Sequence, residues 1–259
     1  MSAIKRSMLA CSNIDVCVAG RALVSNLNLA TSGGQNIALL GQNGAGKTLT
    51  LHTLAGLRPP ARGEIQLGKQ PLKSLGRRQI AKQLGLLMQA YEDPFPSTVL
   101  ETVLVGRHPH IDFWQWESAA DVELARRALG LMDLQGLEQR NIHTLSGGER
   151  RRLAIAAVLA QEPNIYLMDE PLNHLDPQHQ LHVLKLLQEL SSAGSTILTT
   201  LHDPNAATAY CTHALLLFGD GEWLMGHCEE VLTADNLGRL YNTRVEEIDW
   251  KGRRYFALT

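Results

Sequence analysis

Hydrophobic and polar positions follow two rhythms along this chain. Short, nearly continuous apolar runs recur at QNIALL (35–40), EIQL (64–67), LGLLMQ (84–89), NIYLMDE (164–170) and STILTTL (195–201). Runs of that length, bounded by turn-forming or charged residues, predict buried strands. Between them, apolar residues return every third or fourth position. After Ser118, the residues Val122, Ala125, Leu129 and Met132 mark one helical face. DPQHQLHVLKLLQEL predicts a second helix, with Asp176 as its cap and Pro177 at its first position. Another is expected from near Gly46 through Leu57. Strand alternating with helix implies a parallel sheet covered by helices, an α/β fold. HALLLF–GDG–EWLM and VEEIDW–KG–RRYFAL predict hairpins. Residues 90–116, with three prolines, interrupt the alternation, and a mostly helical stretch follows. The expected layout is discontinuous: residues 1–89 and 162–259 form the α/β core, and 90–161 a helical insert.

Composition narrows the function classes. The chain has 259 residues, 44% hydrophobic, with a formal net charge of −2. Such a balance suits a soluble globular protein and argues against a nucleic-acid partner. No apolar stretch is long enough to span a bilayer, and with no long apolar segment behind its basic residues the N-terminus is not expected to act as a signal peptide. The four cysteines (Cys11, Cys17, Cys211, Cys228) show no metal-ligand spacing and read as reduced thiols of a cytosolic protein.

The chemistry begins at GQNGAGKT, residues 41–48, which fits G-x-x-x-x-G-K-[ST] between a strand and a helix. Gly41, Gly44 and Gly46 let the backbone curl, so that N–H groups from Asn43 through Thr48, Ala45 included, turn toward an anion. The helix N-terminus adds its positive end. Lys47 can reach the outer phosphates of a triphosphate, and Thr48 offers a hydroxyl to Mg²⁺. The strand IYLM then supplies an acid pair: Asp169 to hold Mg²⁺ through water, and Glu170 to polarise an attacking water.

With LSGGE at 145–149, opening the helix RRRLAIAAVLAQ, the chain resembles the ATP-binding cassette ATPases that drive membrane transporters. The resemblance covers almost the whole chain. It implies a phosphate-loop core with an antiparallel β subdomain and a helical insert carrying the signature. It implies ATP and Mg²⁺, a head-to-tail pair of copies, and Ser146, Gly147 and Gly148 touching the γ-phosphate held by the opposite copy. Gln89 resembles the glutamine that senses Mg²⁺ and water, Asp176 in NHLD the acid of the loop coupling the two sites, and His202 the switch histidine that orients Glu170.

Two positions depart from the family pattern. Leu49 stands where a second hydroxyl residue usually reaches the α-phosphate, and keeps only its backbone N–H there. Val18 occupies the slot of the aromatic residue that stacks on adenine. FPSTVLETVLVGRHPH (95–110) and EEVLT…L…LY (229–241) resemble the ATPases of iron-siderophore, haem and vitamin B12 importers, with haem preferred. That resemblance implies a peripheral place on the cytoplasmic side of the inner membrane. It also implies a polytopic permease docking around 90–110 and, indirectly, a periplasmic binding protein. Trp114 and Trp116 read either as exposed anchors, at the permease or near the bilayer, or as packing for the insert. The runs at 150–152 and 253–254 read as solvated basic faces. Two rival readings are a soluble non-transport ATPase of the superfamily and a regulatory module whose ATP site has decayed. One cassette and no heptad-rich insert speak against the first; Glu170, Gln89 and His202 speak against the second.

Overall fold

Which way each strand residue faces decides the layering. The computed structural model describes residues 9–89, 96–112 and 114–259. Its strands are β1 (Leu9–Val18), β2 (Arg21–Ala30), β3 (Asn36–Leu40), β4 (Arg62–Leu67), β5 (Gln70–Pro71), β6 (Leu84–Leu87), β7 (Ile165–Met168), β8 (Thr196–Thr200), β9 (His213–Leu217), β10 (Trp223–His227), β11 (Val245–Trp250) and β12 (Arg253–Leu258). Its helices are α1 (Lys47–Leu54), α2 (Arg77–Ala81), α3 (Val99–Leu104), α4 (Ala119–Leu131), α5 (Gly147–Ala160), α6 (Pro177–Ser192), α7 (Pro204–Tyr210), α8 (Cys228–Val231) and α9 (Ala234–Tyr241). A mixed sheet runs β10-β9-β3-β8-β7-β6, parallel from β9 to β6 with β10 antiparallel at its edge. An antiparallel sheet, β2-β1-β4-β5, and the β11–β12 hairpin complete it.

The five residues of β3 are all buried, as are the four of β7. A strand covered on both faces has no polar side to show, so it reads as an unbroken apolar run. Its period of two then divides it between cores. Ile37 and Leu39 pack with Leu51, Leu54 and the β1–β2–β4 sheet, while Ala38 and Leu40 pack with Leu216, Leu237 and Leu240 on the other side. Ile165 and Leu167 face the first core; Tyr166 and Met168 face a third, shared with α3, α4 and α5 through Val103, Leu129 and Leu153. Each fully buried leucine contributes about 1.5–3 kcal/mol relative to exposure.

The predicted strands and both hairpins are present, but EIQL is not a buried strand of the parallel sheet: it lies in β4 of the antiparallel sheet, with Ile65 and Leu67 inward and Gln66 exposed. The helix after Ser118 forms with Ser118 as its cap, and Asp176 caps α6 with Pro177 in its first turn. The helix expected through Leu57 stops at Leu54 with Ala55 as cap. Gly56 takes φ +73° there, and its N–H donates to the Thr53 carbonyl while that of Leu57 donates to His52. Gly in the left-handed region closes the last turn. Residues 90–95, where the insert was expected to begin, and Phe113 lie outside the described residues, as does Phe95, the first residue of the importer-like segment. All four cysteines are free, and burial pushes the Cys11 and Cys228 thiols up to about 12. Among the described residues no helix is long and apolar enough to cross a membrane.

Candidate functional site

The turn from β3 into α1 brings the phosphate-binding pattern to the C-terminal edge of the parallel strands, where α/β sheets bind ligands. Close packing requires its glycines. A Cβ at Gly41 would lie 2.7 Å from the Leu217 carbonyl oxygen. Gly46 caps α1 with φ +98°, and a Cβ there would lie 3.1 Å from that of Leu23. Lys47 is 6% exposed, and its Nζ donates to the carbonyls of Gly41 (2.8 Å) and Gln42 (3.2 Å). The loop is thus closed by its own lysine. Burial pulls the Lys47 ammonium below the usual lysine value, while the carboxylates of Glu170 and then Asp169 hold it up.

A cleft of about 580 Å³ opens over this loop. Asn43, Gly44, Gly46, Lys47, Thr48 and Leu49 form its floor. Gln89, Glu170 and His202 line its wall, and Val18, 45% exposed at the end of β1, lines its rim. Gly41 and Ala45 lie buried behind the floor, and the Ala45 N–H, expected to face an anion, donates instead to the Gln42 carbonyl at 3.1 Å. Leu49 has a second task beyond the cleft: it packs partly against the core under α1, an anchorage that a hydroxyl residue would not supply.

Glu170 is the best-held side chain of the wall. Gln89 Nε2 donates to its Oε2 at 2.8 Å, Asn173 Nδ2 donates to the same oxygen, and His202 Nε2 lies 3.1 Å from Oε1. Its backbone sits at φ +48°, a conformation that costs a non-glycine residue free energy and persists only where neighbours impose it. Glu170 N–H donates to Thr200 Oγ1 (2.5 Å), whose hydroxyl donates to Asp169 Oδ1 (3.0 Å). Asp169 is fully buried, and its Oδ2 has no hydrogen-bond partner. A buried carboxylate oxygen left bare is costly unless something cationic meets it. With the Thr48 hydroxyl and the Gln89 amide oxygen, this set is one of hard oxygen donors, which suits Mg²⁺.

Sequence reasoning missed two residues here. Asn173 lies in the named NHLD loop, but its amide bond to Glu170 comes from a tight turn in which its own N–H donates to the Glu170 carbonyl (3.2 Å). Arg151 overturns the expectation of a solvated basic face at 150–152. It is 6% exposed, and its guanidinium donates to the carbonyls of Met88 (2.8 Å), Asp169 and Glu170 (2.7 Å). One side chain of α5 thereby ties the strand end before Gln89 to the strand end carrying the acid pair. Burial lowers its pKa, opposed by Asp169 and then Glu170. Arg152 also turns inward, donating to the Met132 carbonyl at 2.6 Å, and Arg254 of the other run donates to that of Glu229 at 2.9 Å.

The remaining expected residues do not line this cleft. Ser146 caps α5: its Oγ accepts from the Glu149 N–H and the Glu149 carboxylate accepts from the Ser146 N–H. Ser146 and Gly147 are exposed, with Gly148 half-buried beside the His174 carbonyl. Asp176 accepts from the His179 N–H (2.9 Å), and that backbone bond holds its carboxyl below the usual range. A helix N-terminus, with Ser146 and Gly147 exposed, is open to anything brought against this face.

Comparison with known proteins bears on the family and the fold. A family model described as "ABC transporter" matches residues 24–173. The ferric enterobactin transport ATP-binding protein FepC of Escherichia coli (strain K12) is 37% identical over 229 residues, 88% of this chain and 84% of that protein. A chain of an ABC transporter solved in an inward-facing conformation, of metal-chelate type by its description, superposes with a TM-score of 0.82 at 29% identity, covering 98% of this chain and 97% of that one. The ATP-binding cassette MJ0796, solved as a dimer in a post-hydrolysis state with ADP and Pi, superposes with a TM-score of 0.75 at 25% identity, covering 85% of this chain and 98% of that one.

Proposed function

This chain belongs to the ABC transporter family as one of its ATPases, and on that premise we propose that it powers import of an iron chelate by hydrolysing ATP between two copies of itself. The observation that carries the reading is the Glu170 carboxylate, gripped by Gln89, Asn173 and His202 in the cleft floored by the phosphate loop. A triphosphate on that floor meets the Lys47 ammonium and the positive N-terminal end of α1, which neutralise charge as it shifts onto the leaving oxygens. Mg²⁺, when bound through Thr48, Gln89 and Asp169, supplies further neutralisation. Glu170 takes a proton from the water whose oxygen attacks the γ-phosphorus. The bond from that phosphorus to the ADP oxygen breaks, giving ADP and inorganic phosphate. His202 holds the second Glu170 oxygen and keeps the carboxylate aimed. Val18 covers the base through apolar contact rather than aromatic stacking.

The exposed signature supports the dimeric half of the reading. Ser146, Gly147 and Gly148 have no place in their own cleft, so their anion-binding end serves the phosphates of a facing copy, with Asp176 near the seam. An apolar groove of about 470 Å³ between α5, α3 and β6 is lined by Met88, Val105, Gly106, Ala157 and Gln161. It suits a short helix of a membrane permease, and Gln89 lines both groove and cleft. The assembly sits peripherally on the cytoplasmic face of the inner membrane, fed by a periplasmic binding protein.

For cargo, a ferric siderophore fits the similarity to FepC better than haem, the sequence-based expectation. Transport by the chain assembled with its permease tests this: ATP-dependent uptake of a ferric siderophore is expected, and uptake of haem alone would move the cargo back. Lys47→Ala should lower nucleotide affinity by about 1.5–3 kcal/mol per lost charge-assisted bond, read by titration with a fluorescent ATP analogue. ATP binding without permease-stimulated hydrolysis in the parent would instead favour a regulatory module.

A further inference from the structure

Trp114 and Trp116 are the two most exposed large hydrophobic residues among those described, at 91% and 90%. The reading that they pack the helical segment is therefore excluded. They sit in residues 111–117, between the turn ending at His110 and α4. This loop is pinned from below. Arg78 of α2 donates to the carbonyls of Pro109 (2.9 Å) and Ile111 (2.8 Å) and to Asp112 Oδ1 (2.8 Å), and Gln115 N–H donates to the Asp112 carbonyl (2.9 Å). The segments on either side of Phe113 are thus tied to α2 and to each other, with both indoles exposed.

The support itself is basic. Lys69, Lys73, Arg77, Arg78 and Lys82 are all exposed, and no Asp or Glu occurs from residue 65 to residue 91. In a chain with more acids than bases, a segment this one-sided marks a local field. Asp112 pairs with Arg78, Glu117 lies 3.7 Å from His108 and Lys73 lies 3.7 Å from Glu64, so Lys69, Arg77 and Lys82 are the cations of this segment with no ion pair among the described residues. Indole rings partition to the zone between headgroups and acyl chains, with the ring in the apolar part and the N–H in the wet part. Clustered lysine and arginine add attraction to anionic headgroups.

We propose that this surface, the Trp114–Trp116 loop with the basic face of residues 69–82, docks on an anionic lipid bilayer. The charge of the basic face selects the occupant: anionic headgroups match it, and the indoles enter the boundary layer just above. Helix α2, which carries Arg77 and Arg78, packs against the turn leading into the loop, and Arg78 bonds the loop directly, so the basic segment adjoins the indoles there. It begins where the permease groove ends, since Val105 and Gly106 open the turn that ends at His110. Contact with lipid would hold the subunit near its permease between encounters. The proposal goes beyond the ATPase reading and needs neither ATP nor a permease to be tested, so its failure would leave that reading intact.

The test is vesicle flotation of the purified full chain. The parent is expected to float with vesicles containing phosphatidylglycerol and to remain behind with pure phosphatidylcholine. Raising the salt should release it, since screening shortens the reach of surface charge to a few Å. Trp114→Ser combined with Trp116→Ser, and separately Lys69→Glu combined with Arg77→Glu, should each lower partitioning at least about tenfold, with ATPase activity in solution unchanged as the control for folding. Equal flotation with neutral vesicles, or variants that partition like the parent, would overturn the proposal. So would tryptophan variants that bind vesicles normally but no longer assemble with the permease in detergent, which would assign the surface to a protein contact.

Discussion

Glu170→Gln should bind ATP at least as tightly as the parent and hydrolyse it about 10²–10⁴-fold more slowly, the range for loss of a positioned proton acceptor. The amide has nearly the shape of the carboxylate, and its oxygen can still accept from Gln89 and Asn173 while its NH₂ faces His202. What it lacks is the basicity to take a proton from water. Removing one negative charge beside a triphosphate also lessens repulsion, so the sign of the affinity change is toward tighter binding. Phosphate release and nucleotide binding, measured on the same preparation, separate the two effects. Hydrolysis at near-parent rates would remove Glu170 from its assigned role.

Arg151→Met should be the most destabilising substitution near the site, although Arg151 lines only the groove beside the cleft. Methionine fills much of the same volume but leaves the carbonyls of Met88, Asp169 and Glu170 without their donor inside the protein. Each buried acceptor left bare costs about 1–3 kcal/mol. Partial entry of water trims the sum, and a net loss of about 3–5 kcal/mol is expected, within the range for breaking a buried charged network. Against a total stability of about 5–15 kcal/mol, this is a large fraction. Urea unfolding of the two proteins would read it directly. The backbone of Gln89 and Glu170 would loosen together, so ATPase activity should also fall in the fraction that remains folded. Arg151→Lys should recover part of the stability but not all, because an ammonium lacks the planar fork that reaches several carbonyls at once.

What could be read from the sequence divides along physical lines. The phosphate loop was legible because steric demands leave few choices: the close approach of Gly41 to β9 and the left-handed φ of Gly46 both require glycine. The parallel strands were legible because burial on both faces leaves short, uncharged, mostly apolar runs, even where β8 keeps three buried threonines. By contrast, β1 and β2 escaped notice. Register shifts interrupt the β1–β2 pairing, and Asn13 and Asn26 take φ +51° and +54°, so the alternation that signals a strand never runs long enough. Arg151 was hidden inside three consecutive arginines. A signal did exist, since position 151 falls on the same helix face as Ile155 and Val158, both buried. A cation in an apolar register implies a buried acceptor set, but which carbonyls it meets depends on tertiary contacts from residues far along the chain. Asn173 is a similar case: its role depends on the turn after Glu170, not on its residue type.

The Ser146 segment was legible as a helix cap in any reading, but the role proposed for it depends on a second copy. Sedimentation of the Glu170→Gln protein, with and without ATP and Mg²⁺, tests the two-copy site most directly. A dimer that forms only with ATP, and is lost when Ser146→Arg crowds the facing phosphate, is the predicted result. A monomer at saturating ATP, or a dimer indifferent to both ATP and Ser146→Arg, would contradict it.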